Sequence, residues 1–140
     1  MEKRALFIGR WQPLHNGHMW LINQKLEKDI PVLIAVRDIP PDERNPFTTQ
    51  QTAAMLLRAY REYGEMVNVM IVPDLESVNW GRGVGYEVNE HVPPSDIERV
   101  SATEIRDCIK RGDDSWKKVV NPLIHDDVKY YLEVNGLLGE

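Results

Sequence analysis

Ten consecutive residues, Gly9-Arg-Trp-Gln-Pro-Leu-His-Asn-Gly-His18, carry the densest chemistry in this chain. Imidazole N–H groups can steady negative charge that develops on a phosphoryl oxygen, so His15 and His18 suit phosphoryl or nucleotidyl transfer. Arg10 adds a cation, Gly9 and Gly17 let the backbone come close to a bound group, and Pro13 stiffens the turn. The i, i+3 spacing of the two histidines would also suit a metal pair, but no third ligand is evident, so no metal ligands are assigned. A structural pair at a helix start is the plainer alternative. A second cluster is Ser101-Ala-Thr-Glu-Ile-Arg106. Ser101 with Glu104 fits a capping box, and the same hydroxyls, free N–H groups and Arg106 would suit a polyphosphate at a helix N-terminus.

Both clusters need elements to position them. Ala5 to Ile8 is a short apolar run ending at Gly9, which reads as a strand buried on both faces. Met19, Leu21, Ile22 and Leu26 recur at near-helical spacing, so a helix is expected from about Gly17. Val32 to Val36 reads as a second strand, and Val67 to Val72, stopped by Pro73, as a third. Thr48 or Thr49 is placed to cap a helix carrying Ala53, Met55, Leu56, Leu57 and Tyr60. Two later helices are expected, one from near Ser101 and one over about Pro122 to Val134. The region of Gly81, Gly83 and Gly85 takes no assignment. The order β-α-β-α-β predicts an α/β fold, a Rossmann-like parallel sheet with helices on both faces. The first cluster then falls at the carboxyl edge of the first strand, where such sheets bind ligands, and at a helix start, which favours an anion.

The chain has 140 residues and suits a single domain over 1–140. Its 22 acidic and 17 basic residues give a formal charge of −5. That argues against a nucleic-acid-coating role, which needs a basic surface, while leaving room for one local basic site. Cys108 is the only cysteine, so no internal disulfide can form, and no apolar run approaches a membrane span. The N-terminus shows no signal-peptide pattern, and a cytoplasmic setting is expected.

The two clusters together, in this order, resemble the HxGH and (S/T)xTxxR signatures of the nucleotidylyltransferase superfamily. Arg44 followed by Asn45-Pro-Phe-Thr48 is further similar to the archaeal-type nicotinamide mononucleotide adenylyltransferases. The resemblance covers roughly residues 4 to 111. It implies an in-line transfer of NMP from an NTP, ATP being favoured, to a phosphomonoester acceptor, with pyrophosphate released. It implies that His15 and His18 contact the triphosphate and steady the transition state. Arg10, Arg44 and Arg106 would bind phosphate, and Ser101 and Thr103 would hold the outer phosphates. Trp80 resembles a residue that stacks on the acceptor, with core burial as its alternative, while Trp11 is read as packing at the edge of the site. Arg37 is read as a surface charge or a further phosphate contact. Mg²⁺ would accompany the triphosphate.

The short stretch between Tyr86 and Ser101 leaves little room for the elements that complete the acceptor pocket in the archaeal enzymes. A cytidylyltransferase acting on a phosphorylated alcohol or sugar, and a non-catalytic nucleotide-binding module, therefore stand beside the main reading. A class I tRNA-synthetase-like activity is disfavoured by the short chain and the lack of a KMSKS-like segment. The expected partners are an NTP and a small phosphorylated substrate, with no nucleic acid and no membrane. The apolar residues Tyr130, Tyr131, Leu132, Leu137 and Leu138 would pack internally or join copies in a homo-oligomer.

Overall fold

The computed structural model describes residues 2–137; Leu138 lies outside them. Strands β1 (Ala5–Gly9), β2 (Val32–Asp38) and β3 (Val67–Pro73) pair in parallel in the order β1-β2-β3. The register sets Phe7 beside Ile34 and Ile34 beside Val69. Helices α1 (Asn16–Leu26) and α2 (Thr49–Ala59) make the crossovers. After β3 come a single turn, α3 (Ser95–Glu98), then α4 (Ala102–Lys110), 3-10 turns at Asp114–Val119 and Pro122–Ile124, and α5 (His125–Val134).

The α/β class and the parallel sheet flanked by helices are as the β-α-β-α-β pattern implies, but the expected helices on both faces, and a β1 buried on both, are not found among the described residues. The side of the sheet taken by the core is a structural result. Phe7, Val32, Ile34, Val36 and Val67 share one face and pack in a single core with Ile22, Leu26, Met55, Leu56, Ile105, Ile124 and Val128. Full burial of an aliphatic side chain of this size is worth about 1.5–3 kcal/mol. On the opposite face Leu6, Ile8 and Met70 are 54%, 38% and 43% exposed. The reason is topological. Two crossovers of the same hand in the order β1-β2-β3 put both helices on one side, and a second layer would have to come from the chain after β3. There the backbone between 74 and 94 forms no helix or strand.

Thr48 caps α2 through Gln51 in a capping box. The tail from Gly112 onward, which resembles no motif, proves to be a clamp. Asn135 at the end of α5 donates to the Pro46 carbonyl at 2.9 Å and exchanges two hydrogen bonds with Gln51. Leu132 is buried and Tyr131 and Leu137 pack against the core, whereas Tyr130 faces solvent. No helix among the described residues is long and apolar enough to cross a membrane.

Candidate active site

The loop after β1 enters α1 through a cap made of two histidines. His15 is the N-cap residue, and its Nδ1 accepts from the backbone N–H groups of Gly17 (3.0 Å) and His18 (3.3 Å). His18 reciprocates: its Nδ1 accepts from the N–H of His15 at 3.3 Å. Asn, Asp, Ser and Thr usually do this work. The consequence for chemistry is direct. With both Nδ1 atoms accepting, each neutral ring carries its proton on Nε2, so the cap that starts the helix also selects the donor tautomer. The two rings stack at 3.7 Å between centroids, His15 buried behind and His18 on the cavity wall. Burial lowers the pKa of His15 to about 4. Burial, with His15 adding to it, lowers that of His18 to about 3. Both are neutral N–H donors at pH 7.

Gly9 and Gly17 were expected to admit a ligand; their space is taken by side chains of the loop itself. A Cβ on Gly9 would lie 2.9 Å from the Trp11 ring, and one on Gly17 2.9 Å from His15 Cε1. Trp11 sits at φ 56°, a conformation costing a bulky residue about 1–3 kcal/mol. Its indole is 2% exposed, donates to the Ala35 carbonyl at 3.2 Å and meets His18 edge-on. The ring packing thereby fixes the orientation of His18.

Gln12 joins the three sequence clusters. Its side chain pairs reciprocally with the backbone of Phe47, donating to the carbonyl at 3.2 Å and accepting from the N–H at 3.0 Å. Its own carbonyl accepts from the Arg106 guanidinium at 2.7 Å. Arg106 donates also to Thr103 Oγ1 at 3.3 Å. Asp42 arranges the neighbouring loop, where its Oδ1 accepts from the N–H groups of Arg44 and Asn45. Those bonds, the Asn45 backbone N–H foremost, hold the Asp42 carboxyl below its ordinary pKa.

The result is one cavity of about 540 Å³ at the carboxyl edge of the sheet, lined by Arg10, Trp11, Gln12, His18, Glu43, Arg44, Ala102, Thr103, Arg106, Asp107 and Lys110. Partial burial lowers the Arg106 pKa; Asp107 opposes this, while Arg10 and Arg44 add to it.

Of the residues singled out in the sequence, Arg10, His18, Arg44, Thr103 and Arg106 meet here, with His15 directly behind. Ser101 does not. It caps α4 through the Glu104 N–H at 3.4 Å and borders a smaller depression on the other side of the helix, with Cys108 and Trp116. The capping box is half made, because the Glu104 carboxylate accepts from the Cys108 thiol at 4.0 Å instead of returning to the cap. Trp80 is 57% exposed and does not line the cavity. Arg37 pairs with Asp74 at 3.0 Å, tying the end of β2 to the chain leaving β3. Gln12 and Lys110 were missed, although Lys110 follows Arg106 by four residues and Thr103 by seven, a helical stripe visible in the sequence. Among the described residues no group of three or more His, Cys, Asp or Glu is placed to hold a metal.

A parallel sheet with a cationic, imidazole-bearing cavity at its carboxyl edge defines an α/β domain suited chemically to an anionic ligand. No family model matches the chain. It is similar to the nicotinamide-nucleotide adenylyltransferase of Pyrobaculum aerophilum, 31% identical, with 84% of this chain and 83% of that one covered. The enzyme of the same name from Pyrobaculum neutrophilum is 29% identical over 91% of this chain and 88% of its own. That from Thermococcus onnurineus is 28% identical over 100% and 74%. A solved structure, a bifunctional NMN adenylyltransferase/ADP ribose pyrophosphatase from Francisella tularensis complexed with AMP and Mn ion, is 29% identical, with a TM-score of 0.46. It aligns over 53% of this chain and 23% of that longer one. The chain belongs to the nicotinamide-nucleotide adenylyltransferase family of enzymes.

Proposed function

We propose that this chain transfers the AMP part of ATP to nicotinamide mononucleotide and releases pyrophosphate. The observation that carries the reading is the gathering of His18, Arg10, Arg44, Thr103 and Arg106 around one cavity. An acceptor phosphate oxygen attacks the α-phosphorus in line, and the bond to the pyrophosphate oxygen breaks. Such a displacement asks the protein for positioning and charge stabilisation rather than a covalent intermediate. His18 donates its Nε2–H to the phosphoryl oxygen on which charge builds. His15 holds that donor in place and in the correct tautomer. Arg10, Arg44 and Arg106 take the phosphate charge, and the Thr103 hydroxyl, already bonded to Arg106, adds a polar contact at the start of α4.

A divalent cation, Mg²⁺ first, fits this cavity, because Glu43 and Asp107 would otherwise face a polyphosphate as like charges. Bound with the triphosphate, it neutralises part of its charge while keeping most of its waters.

The reading is tested by calorimetry with ATP and CTP in the presence of Mg²⁺, followed by pyrophosphate release with nicotinamide mononucleotide and other phosphomonoesters. ATP preference with release on nicotinamide mononucleotide is expected. A CTP preference would move the chain to the cytidylyltransferases. Binding without release for every acceptor would make it a non-catalytic nucleotide-binding module.

A further inference from the structure

Helix α4 presents two faces of opposite character. Ile105, Cys108 and Ile109 are buried in the core and fix the rotation of the helix. The other face sends Thr103, Arg106, Asp107 and Lys110 to the cavity, the i, i+3, i+4, i+7 pattern of one continuous stripe. At about 1.5 Å per residue the stripe runs roughly 10 Å, and Lys110 lies some 6 Å beyond Arg106 along the axis. The Arg106 guanidinium is already committed, to the Gln12 carbonyl and the Thr103 hydroxyl, at the end of the stripe nearest the histidine loop. Lys110 forms no ion pair among the described residues, not even with Asp107 on the same face. Lys110 is exposed, lines the same cavity and lies farther along the helix than a single phosphate held by Arg106 would require.

We infer that Lys110 binds the terminal phosphate of the nucleoside triphosphate, and hence the departing pyrophosphate, so that the site distinguishes a triphosphate from a monophosphate. This rests on the transferase reading above. A point charge on a flexible stem is suited to the task, since the leaving group moves as the bond breaks.

The test is calorimetric titration of Mg-ATP, AMP and inorganic tripolyphosphate into the unaltered protein and into Lys110→Ala and Lys110→Arg, with Lys28→Ala, exposed in the turn that follows α1, as control. Loss of one charge-assisted phosphate contact predicts about tenfold weaker binding of ATP and tripolyphosphate by Lys110→Ala. AMP affinity should stay within about twofold, Lys110→Arg should restore most of the loss, and Lys28→Ala should change nothing. Unchanged ATP affinity in Lys110→Ala overturns the inference, as does an equal loss for AMP and ATP. An unaltered protein that binds neither ATP nor tripolyphosphate overturns the transferase reading itself, a result distinct from a variant that binds as well as its parent.

Discussion

Replacing Gln12 by alanine tests whether one buried amide holds the candidate site together. Gln12 is 8% exposed and Phe47, whose backbone it satisfies on both sides, is fully buried. Alanine leaves the Phe47 N–H and C=O without partners in a place water reaches poorly. Each stranded group costs about 1–3 kcal/mol, so a loss of roughly 3 kcal/mol is expected once the site relaxes. That is a large part of the 5–15 kcal/mol typical of a domain. A chain of this length loses about 3–4 °C in Tm per kcal/mol, which places the fall near 10 °C. The assay is thermal unfolding followed by circular dichroism, with and without Mg-ATP. The ATP-induced rise in Tm should shrink too, because Phe47 and Arg44 belong to one short segment that the Gln12 amide holds, although Arg106 keeps its bond to the backbone carbonyl of residue 12. A Tm fall below about 3 °C, or an undiminished ATP-induced rise, would refute the idea that Gln12 couples the three segments.

His18→Ala should lower turnover by roughly 10² or more while ATP affinity changes little, as loss of a transition-state donor requires; unaltered turnover in the folded variant refutes the assignment. Arg106→Ala should weaken ATP binding at least about tenfold, and calorimetry showing an unchanged Kd removes the phosphate role. Gly9→Ala sets a Cβ 2.9 Å from the Trp11 ring, and overpacking of that kind costs about 1–3 kcal/mol. Urea titration measures the loss, and a wild-type midpoint would contradict the packing argument. Both histidines have folded pKa values below the ordinary 6.5. Below 6.5 the unfolded chain therefore binds more protons than the folded one, and stability falls as pH falls from about 6.5 toward 4. At pH 5 each imidazole withdraws about 2 kcal/mol relative to pH 8. Unfolding free energies equal at pH 5 and 8 in the His15→Gln, His18→Gln double variant, and lowered at pH 5 in the parent, are the expected pair. A parent with no such fall refutes the neutral-pair reading.

Much of this was legible because the signals were local. The three strands follow short apolar runs, the second reaching Asp38 rather than Val36, and of the two expected caps, Thr48 and Thr49, Thr48 opens α2. Residues of both clusters, Arg10 and His18 from the first and Thr103 and Arg106 from the second, line the candidate cavity. What escaped depends on rotation and on long-range pairing. Ser101 and Thr103 both open α4 with a hydroxyl, and only the burial of Ile105 and Ile109 decides that Thr103 faces the cavity. Gln12 looks like one polar residue in a loop until Phe47, thirty-five positions away, is folded against it. Between 74 and 94 neither period 2 nor period 3.6 is sustained, and the chain there is almost wholly exposed, so Trp80 had nothing to place it.

Two arginines outside the cavity serve the fold. Arg37 and Arg58 each find a carboxylate, Asp74 at 3.0 Å and Asp127 at 2.7 Å, and each ties two elements together. Arg10, Arg44, Arg106 and Lys110 form no ion pair among the described residues, although the chain carries 22 acidic side chains against 17 basic ones. The pKa of Arg106 is lowered first by burial; Asp107 and Asp42 oppose this, and repulsion from Arg10 and Arg44 adds to it. An anionic ligand relieves that repulsion on entry. The positions of the charges are already set by the Gln12 and Asp42 hydrogen bonds, so little reorganisation remains when charge shifts during transfer. The same reasoning explains the neutral histidines. Two further positive charges behind three arginines would tighten the bound triphosphate and the transition state alike, whereas a neutral Nε2–H responds chiefly to the oxygen on which charge accumulates.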